Sequence, residues 1–136
     1  MAAADTSRAY VPLGMVDSVG VIDLESRQVT ASITGTVNTH GSALTPEGRY
    51  LVAGSMSAHE GQQPVSRPEG VTEDEHAAHH GGGTAAVSEE SNTGLLYVVD
   101  TATNAIARKL EVPGPVHHVL VTSDGRYAVS THPMSG

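Results

Sequence analysis

The sequence has no cysteine, no phenylalanine and no tryptophan, and it has only four tyrosines among its 136 residues. The absence of cysteine excludes disulfides, thiolate metal ligands and a cysteine nucleophile. Because aromatic residues are so few, the core must be built from Val, Leu, Ile and Ala. An aliphatic core suits tightly packed β-sheets better than a deep aromatic ligand pocket.

Long apolar runs and an excess of basic charge are also missing. No run approaches the roughly 18 residues of a transmembrane helix, so we expect no membrane span. Residues 1–5 lack the basic start and apolar stretch of a secretory signal, so we expect a cytoplasmic protein or one whose signal has been removed. The net charge of −8 argues against a nucleic-acid partner.

The motifs of nucleophilic and nucleotide-binding enzymes are absent as well. The sequence contains no Gly-x-Ser-x-Gly elbow, no phosphate loop and no dinucleotide fingerprint. We therefore predict no catalytic side chain, and any enzyme activity would rest on metal or haem chemistry.

What the sequence does contain is an internal repeat at an offset of 77 residues. The matched pairs are Asp23 and Asp100, His40 and His117, Thr45 and Thr122, Gly48 and Gly125, Arg49 and Arg126, and Tyr50 and Tyr127. A second offset, of 40 residues, aligns the Arg-Ala-Tyr of 8–10 with the Gly-Arg-Tyr of 48–50. The repeat unit is thus about 40 residues long, and its second copy carries a 37-residue insertion. A period of roughly 40 residues built from short strands is typical of a β-propeller blade.

Short runs rich in Val, Ile, Leu, Tyr and Thr, bounded by turn residues, predict nine strands. The predicted strands are 9–13, 18–23, 28–34, 41–44, 49–54, 95–99, 105–112, 118–122 and 127–131. Gly48 and Gly125 stand where a tight turn needs a positive φ angle. The hairpins predict an all-β fold of four-stranded antiparallel blades, about two and a quarter of them, in a single partial β-propeller over 1–136.

The segments Val-Ile-Asp-Leu-Glu-Ser-Arg at 21–27 and Val-Val-Asp-Thr-Ala-Thr-Asn at 98–104 each precede a Thr-x-x-Gly-Arg-Tyr turn. They resemble YVTN-type β-propeller repeats, which are similar to those of cytochrome d1-like domains and related periplasmic propellers. The resemblance covers nearly all of the chain outside 56–93. It implies a periplasmic or extracellular location, with a cytoplasmic one as the alternative. Such propellers close with roughly six to eight blades, so we expect a fragment of a longer protein or a subunit that completes a ring as a homo-oligomer.

Four of the eight histidines, His40, His117, His118 and His132, belong to the repeats. His40 and His117 share one register before the innermost strand, which lines the channel in propellers of the resembled kind. Imidazoles of neighbouring blades would then meet at the channel mouth, where they could bind copper, zinc or a haem iron. The arrangement is similar in position and residue type to the copper-binding propeller of nitrous oxide reductase and to haem-ligating cytochrome d1 domains. The alternative is that His40 and His117 hydrogen-bond a loop carbonyl.

The insertion, 57–93, separates two strands of the second blade and is polar, acidic and rich in glycine. Its His76, His79 and His80 have the spacing of one helical face, so they could bind Cu(II), Ni(II) or Zn(II). The alternative is a solvated linker with incidental histidines.

Together these features predict a metal- or haem-binding β-propeller module of the periplasm or cell exterior, whose partner is a metal ion or small ligand. The predicted metal ligands are His40, His117, His118, His132, His76, His79 and His80. Two alternatives stay open at this point: a copper- or haem-dependent oxidoreductase domain, and a structural or protein-interaction propeller without metal.

Overall fold

The computed structural model of the chain describes residues 7–57 and 93–132. Over these two stretches the chain forms nine β-strands and one short 3-10 helix, Gly14–Val16. The strands are β1 (Arg8–Leu13), β2 (Ser18–Asp23), β3 (Gln28–Thr34), β4 (Thr39–Leu44), β5 (Tyr50–Ser55), β6 (Thr93–Asp100), β7 (Ala105–Pro113), β8 (Val119–Val121) and β9 (Ala128–Ser130). All nine predicted strands are found, and their ends agree with the prediction to within two residues.

The strands form three antiparallel sheets that follow one another along the chain. The first sheet has the order β1-β2-β3, the second β4-β5-β6-β7 and the third β8-β9. Each strand pairs with the next one in sequence within its sheet, as hairpin connections require. The predicted all-β fold is confirmed, and the second sheet has the four antiparallel strands predicted for a blade.

The turn that precedes the Arg-Tyr motif is built in the same way in the second and third sheets. The Thr45 N–H donates to the carbonyl of Tyr50 at 2.8 Å, and the Tyr50 N–H donates to Thr45 Oγ1 at 3.0 Å. Thr122 and Tyr127 form the same two bonds at 2.9 and 3.1 Å. Gly48 has a φ of 71°, in the left-handed region that glycine adopts at little cost. The sequence repeat is therefore also a repeat of backbone geometry.

Aspartates fix the neighbouring turns through local hydrogen bonds. Asp23 Oδ1 accepts from the hydroxyl and from the backbone N–H of Ser26, each at 2.6 Å, and the hydroxyl bond is the main reason that the pKa of Asp23 is lowered. Asp100 stands at the matching position, where its Oδ1 accepts a backbone N–H at 2.9 Å. The Thr122 hydroxyl likewise lowers the pKa of Asp124 by donating to its carboxylate at 2.5 Å. Each carboxylate satisfies donors that would otherwise leave the turn open.

The larger of two apolar cores lies between the first and second sheets. Its buried residues are Val19, Val21, Ile33 and Val37 on one side and Leu51, Ala53, Leu95, Tyr97 and Val99 on the other. The Tyr97 ring is fully buried, and its hydroxyl accepts the backbone N–H of Val37 at 3.1 Å. Burial raises the pKa of Tyr97. One aromatic side chain thus ties the second sheet to the segment that leaves the first.

The smaller core lies between the second and third sheets, where Val52 packs against Val116 and Val119. Gly54 faces the same contact, and a Cβ at this position would lie 2.9 Å from Val119 Cγ2. The absence of a side chain at Gly54 is therefore what allows this close approach. β8 also lies against β4 and β5, so the first strands of neighbouring sheets are side by side.

The predicted insertion, 57–93, connects β5 to β6, and its residues 58–92 lie outside the described residues. Among the residues that the structure describes, no helix has the length and apolar character to cross a membrane.

Candidate functional site

His40 lies at an irregularity of β4. Thr39 pairs with Ser55 and Gly41 pairs with Gly54, so His40 is an extra residue on β4 at a shift of the register. An extra residue of this kind is a β-bulge, which bends a strand and re-aims its side chain. The His40 side chain is exposed at this bulge, directly after the buried Thr39.

Gly41 brings the third sheet close to His40. A Cβ on Gly41 would lie 2.7 Å from the carbonyl oxygen of His117, 3.0 Å from His118 Cα and 3.2 Å from the Val119 nitrogen. All three atoms belong to backbone, which cannot move aside as the end of a flexible side chain can. The contact between the two sheets at this point therefore requires glycine.

The backbone of His117 and His118 is held by Thr131, which directly follows β9. The His117 N–H donates to the Thr131 carbonyl at 2.9 Å, and the Thr131 N–H donates to the His118 carbonyl at 3.0 Å. The His118 N–H donates to Thr131 Oγ1 at 3.1 Å. These bonds extend the pairing of β8 with β9 by two residues. They fix the backbone positions that carry the two imidazole side chains.

The result is a cluster of three imidazole rings contributed by two neighbouring sheets. The ring centroids of His40 and His117 are 4.6 Å apart, those of His117 and His118 are 4.2 Å apart, and those of His40 and His118 are 6.5 Å apart. His40 and His118 are exposed, whereas His117 is half-buried. The predicted meeting of His40 and His117 is thus present, and His118 joins them. We call these three residues the imidazole cluster.

The cluster is not a finished metal site. Over residues 7–57 and 93–132, no group of three or more His, Asp or Glu side chains is positioned to hold a metal ion. The backbone positions are fixed by the bulge, by Gly41 and by Thr131, but the rings must turn before their nitrogens can share one ligand. His40 and His118 are exposed, and exposed side chains change rotamer readily, on a picosecond to nanosecond timescale.

His132 has other partners. Its Nδ1 lies 3.2 Å from the carbonyl oxygen of Gly114, and its Nε2 lies 2.8 Å from Ser130 Oγ. Because a carbonyl only accepts, Nδ1 carries a proton, and in the neutral ring Nε2 then accepts from the serine hydroxyl. A metal at His132 would have to displace one of these bonds, so its predicted ligand role stays a prediction.

The three predicted ligands of the insertion, His76, His79 and His80, lie outside the described residues. Their metal-binding role also stays a prediction.

Two of the residues that build the cluster were missed by the sequence analysis. Gly41 is adjacent to His40, and a glycine inside a strand is a signal for close backbone approach. Thr131 carries no comparable signal, because its role depends on its pairing with His117 and His118.

No protein-family model matches the sequence, and no curated protein matches it. Among solved structures the chain is similar to two described as "Structure of Dos1 propeller" and "Kuenenia stuttgartiensis Hydrazine Synthase". For the first, the TM-score is 0.49 at 12% identity, over 85% of this chain and 22% of the other. For the second, the TM-score is 0.42 at 17% identity, over 98% of this chain and 41% of the other. The chain therefore spans less than half of either protein, and the likeness extends to the antiparallel fold alone.

Proposed function

We propose that this chain is a β-propeller module of the YVTN type that binds a divalent transition-metal ion, Cu(II) in the first place, through the imidazole cluster. The observation that carries the proposal is the grouping of His40, His117 and His118 from two neighbouring sheets within 6.5 Å. Neutral imidazole is the commonest protein ligand for copper and zinc.

The affinity order of the divalent metals supports copper over zinc. A given site of nitrogen ligands generally binds Cu(II) more tightly than Zn(II).

Charge also favours a cation. The chain carries 15 acidic and 7 basic residues, and this excess attracts cations to its surface over a long range. Bound copper, or a haem iron on one imidazole, would supply one-electron chemistry, which is the basis of the oxidoreductase alternative. The resemblance to periplasmic propellers supports a periplasmic or extracellular setting for this chemistry.

Calorimetric titration of the full chain with Cu(II) and Zn(II) tests the proposal. Two triple variants separate the candidate sites: His40→Asn, His117→Asn and His118→Asn in the imidazole cluster, and His76→Asn, His79→Asn and His80→Asn in the insertion. We expect the cluster variant to lose more than about tenfold in Cu(II) affinity, because even residues that only orient a metal ligand typically contribute that much. The insertion variant should keep the site.

His132→Asn is the matched control, because it removes a repeat histidine that is already bound to Ser130 and Gly114. Electron paramagnetic resonance of the Cu(II) form should report nitrogen ligands that disappear only in the cluster variant. Unchanged Cu(II) affinity in the cluster variant would refute the proposal. A visible haem spectrum in the purified protein would instead favour the haem alternative.

A further inference from the structure

The outer side of the third sheet exposes large apolar side chains. Leu120 and Val129 form a cross-strand pair there and are 67% and 54% exposed. We call these two residues the tail face. Contiguous exposed apolar side chains of this kind mark interaction surfaces.

The repeat shows what covers this face elsewhere in the molecule. At the 77-residue offset, Leu120 and Val129 correspond to Ala43 and Val52 of the second sheet. Val52 is only 7% exposed, because the third sheet packs on it through Val119. The tail face therefore corresponds to positions of the second sheet that the third sheet covers.

The outer side of the first sheet, which faces away from the second sheet, also exposes apolar side chains. It presents Val11 and Leu13, which are 37% and 41% exposed, and we call these two residues the head face. At the 40-residue offset, Val11 and Leu13 correspond to Leu51 and Ala53. Both of these second-sheet residues are fully buried against the first sheet. The head face therefore corresponds to positions of the second sheet that the first sheet covers.

We propose that the tail face of one copy of this chain binds the head face of a second copy. The two faces are the two halves of an interface that the molecule already makes twice, between its first and second sheets and between its second and third. Such a contact is head to tail, so each copy keeps one unused face and association continues until a ring closes. The proposal does not depend on metal binding.

Sedimentation velocity over a wide concentration range tests the association. We expect the wild-type mass to exceed the 14.0 kDa of one chain and to rise beyond two copies as the concentration increases. Val129→Lys on the tail face and Val11→Lys on the head face should each abolish growth beyond the monomer. Leu24→Lys is the control, because Leu24 is 51% exposed in the turn between β2 and β3, away from both faces.

Mixing the two variants gives the sharpest outcome. Val129→Lys retains an intact head face and Val11→Lys retains an intact tail face, so an equimolar mixture should form a dimer of one copy of each and grow no further. A wild-type protein that stays monomeric at all concentrations would overturn the proposal, because the faces would then be covered within one chain or left bare. Two variants that are each monomeric but fail to dimerise on mixing would overturn the head-to-tail arrangement.

Discussion

Replacing Gly41 by alanine should both weaken the contact between the second and third sheets and disturb the imidazole cluster. The added Cβ would lie 2.7 Å from the His117 carbonyl oxygen, whereas ordinary contact begins at 3.4 Å. Relieving this overlap requires a movement of about 0.7 Å between backbone segments. Overpacking of this kind typically costs about 1–3 kcal/mol, which corresponds to a melting temperature lower by roughly 4–12 °C.

The same movement should reach the metal site. Binding constellations work when their members are held within about 0.5 Å of the productive geometry, and the expected shift exceeds that tolerance. We expect Gly41→Ala to reduce Cu(II) affinity about tenfold, measured by calorimetry at a temperature where the variant is folded.

Gly20→Ala is the matched control. Gly20 also lies inside a strand, but a Cβ there would meet Leu13 Cδ1 at 3.4 Å and the Val11 carbonyl oxygen at 3.8 Å, which are ordinary contacts. Because alanine restricts the unfolded chain more than glycine does, this variant should be neutral or stabilised by up to about 1 kcal/mol. If Gly41→Ala melts at the wild-type temperature and binds Cu(II) equally well, the described approach of the third sheet to β4 is wrong.

Three further predictions concern the fold. Tyr97→Phe should lower the free energy of unfolding by about 1–3 kcal/mol in urea denaturation, because the Val37 N–H would be left buried without an acceptor; an unchanged midpoint would contradict this. Because the pKa of Asp124 is lowered in the folded state, its carboxylate stabilises the fold at pH values above the ordinary aspartate pKa of about 3.9. This stabilisation is lost as the pH falls through that value towards the pKa of the folded state. Melting of Asp124→Asn should therefore depend less on pH in acid than melting of the wild type. Arg27 has a φ of 58°, as Asn104 has one repeat later at 55°, so Arg27→Asn should stabilise the protein by a few tenths of a kcal/mol; a lower denaturation midpoint would contradict this.

The sequence predicts strands and turns well because their determinants are local. The Thr-x-x-Gly-Arg-Tyr segment contains all the groups that close its own turn, including Thr45 Oγ1 and the positive φ of Gly48. The two copies therefore fold alike without help from distant residues. The same locality explains why the strand ends agree with the prediction to within two residues.

The parts that escaped prediction depend on contacts between sheets. The bond between Val37 and Tyr97 joins residues 60 positions apart, and no local pattern announces it. The clustering of His40 with His117 follows from their shared register, but the bulge at His40 and the backbone packed over Gly41 follow only from the pairing of β4 with its neighbours. His132 carries no repeat signal for its bond to the Gly114 carbonyl.

Metal analysis of the full chain, purified without an affinity tag and equilibrated with limiting Cu(II) and Zn(II), is the most direct test of the proposed function. We expect one copper per chain and a higher melting temperature in the presence of Cu(II). At a free Cu(II) concentration of about a hundred times the dissociation constant, binding should add about 2.7 kcal/mol to the free energy of unfolding. The cluster variant should lose both the bound ion and the added stability. A wild-type protein that retains no metal, and whose melting temperature is unchanged by Cu(II) or Zn(II), would contradict metal binding at His40, His117 and His118.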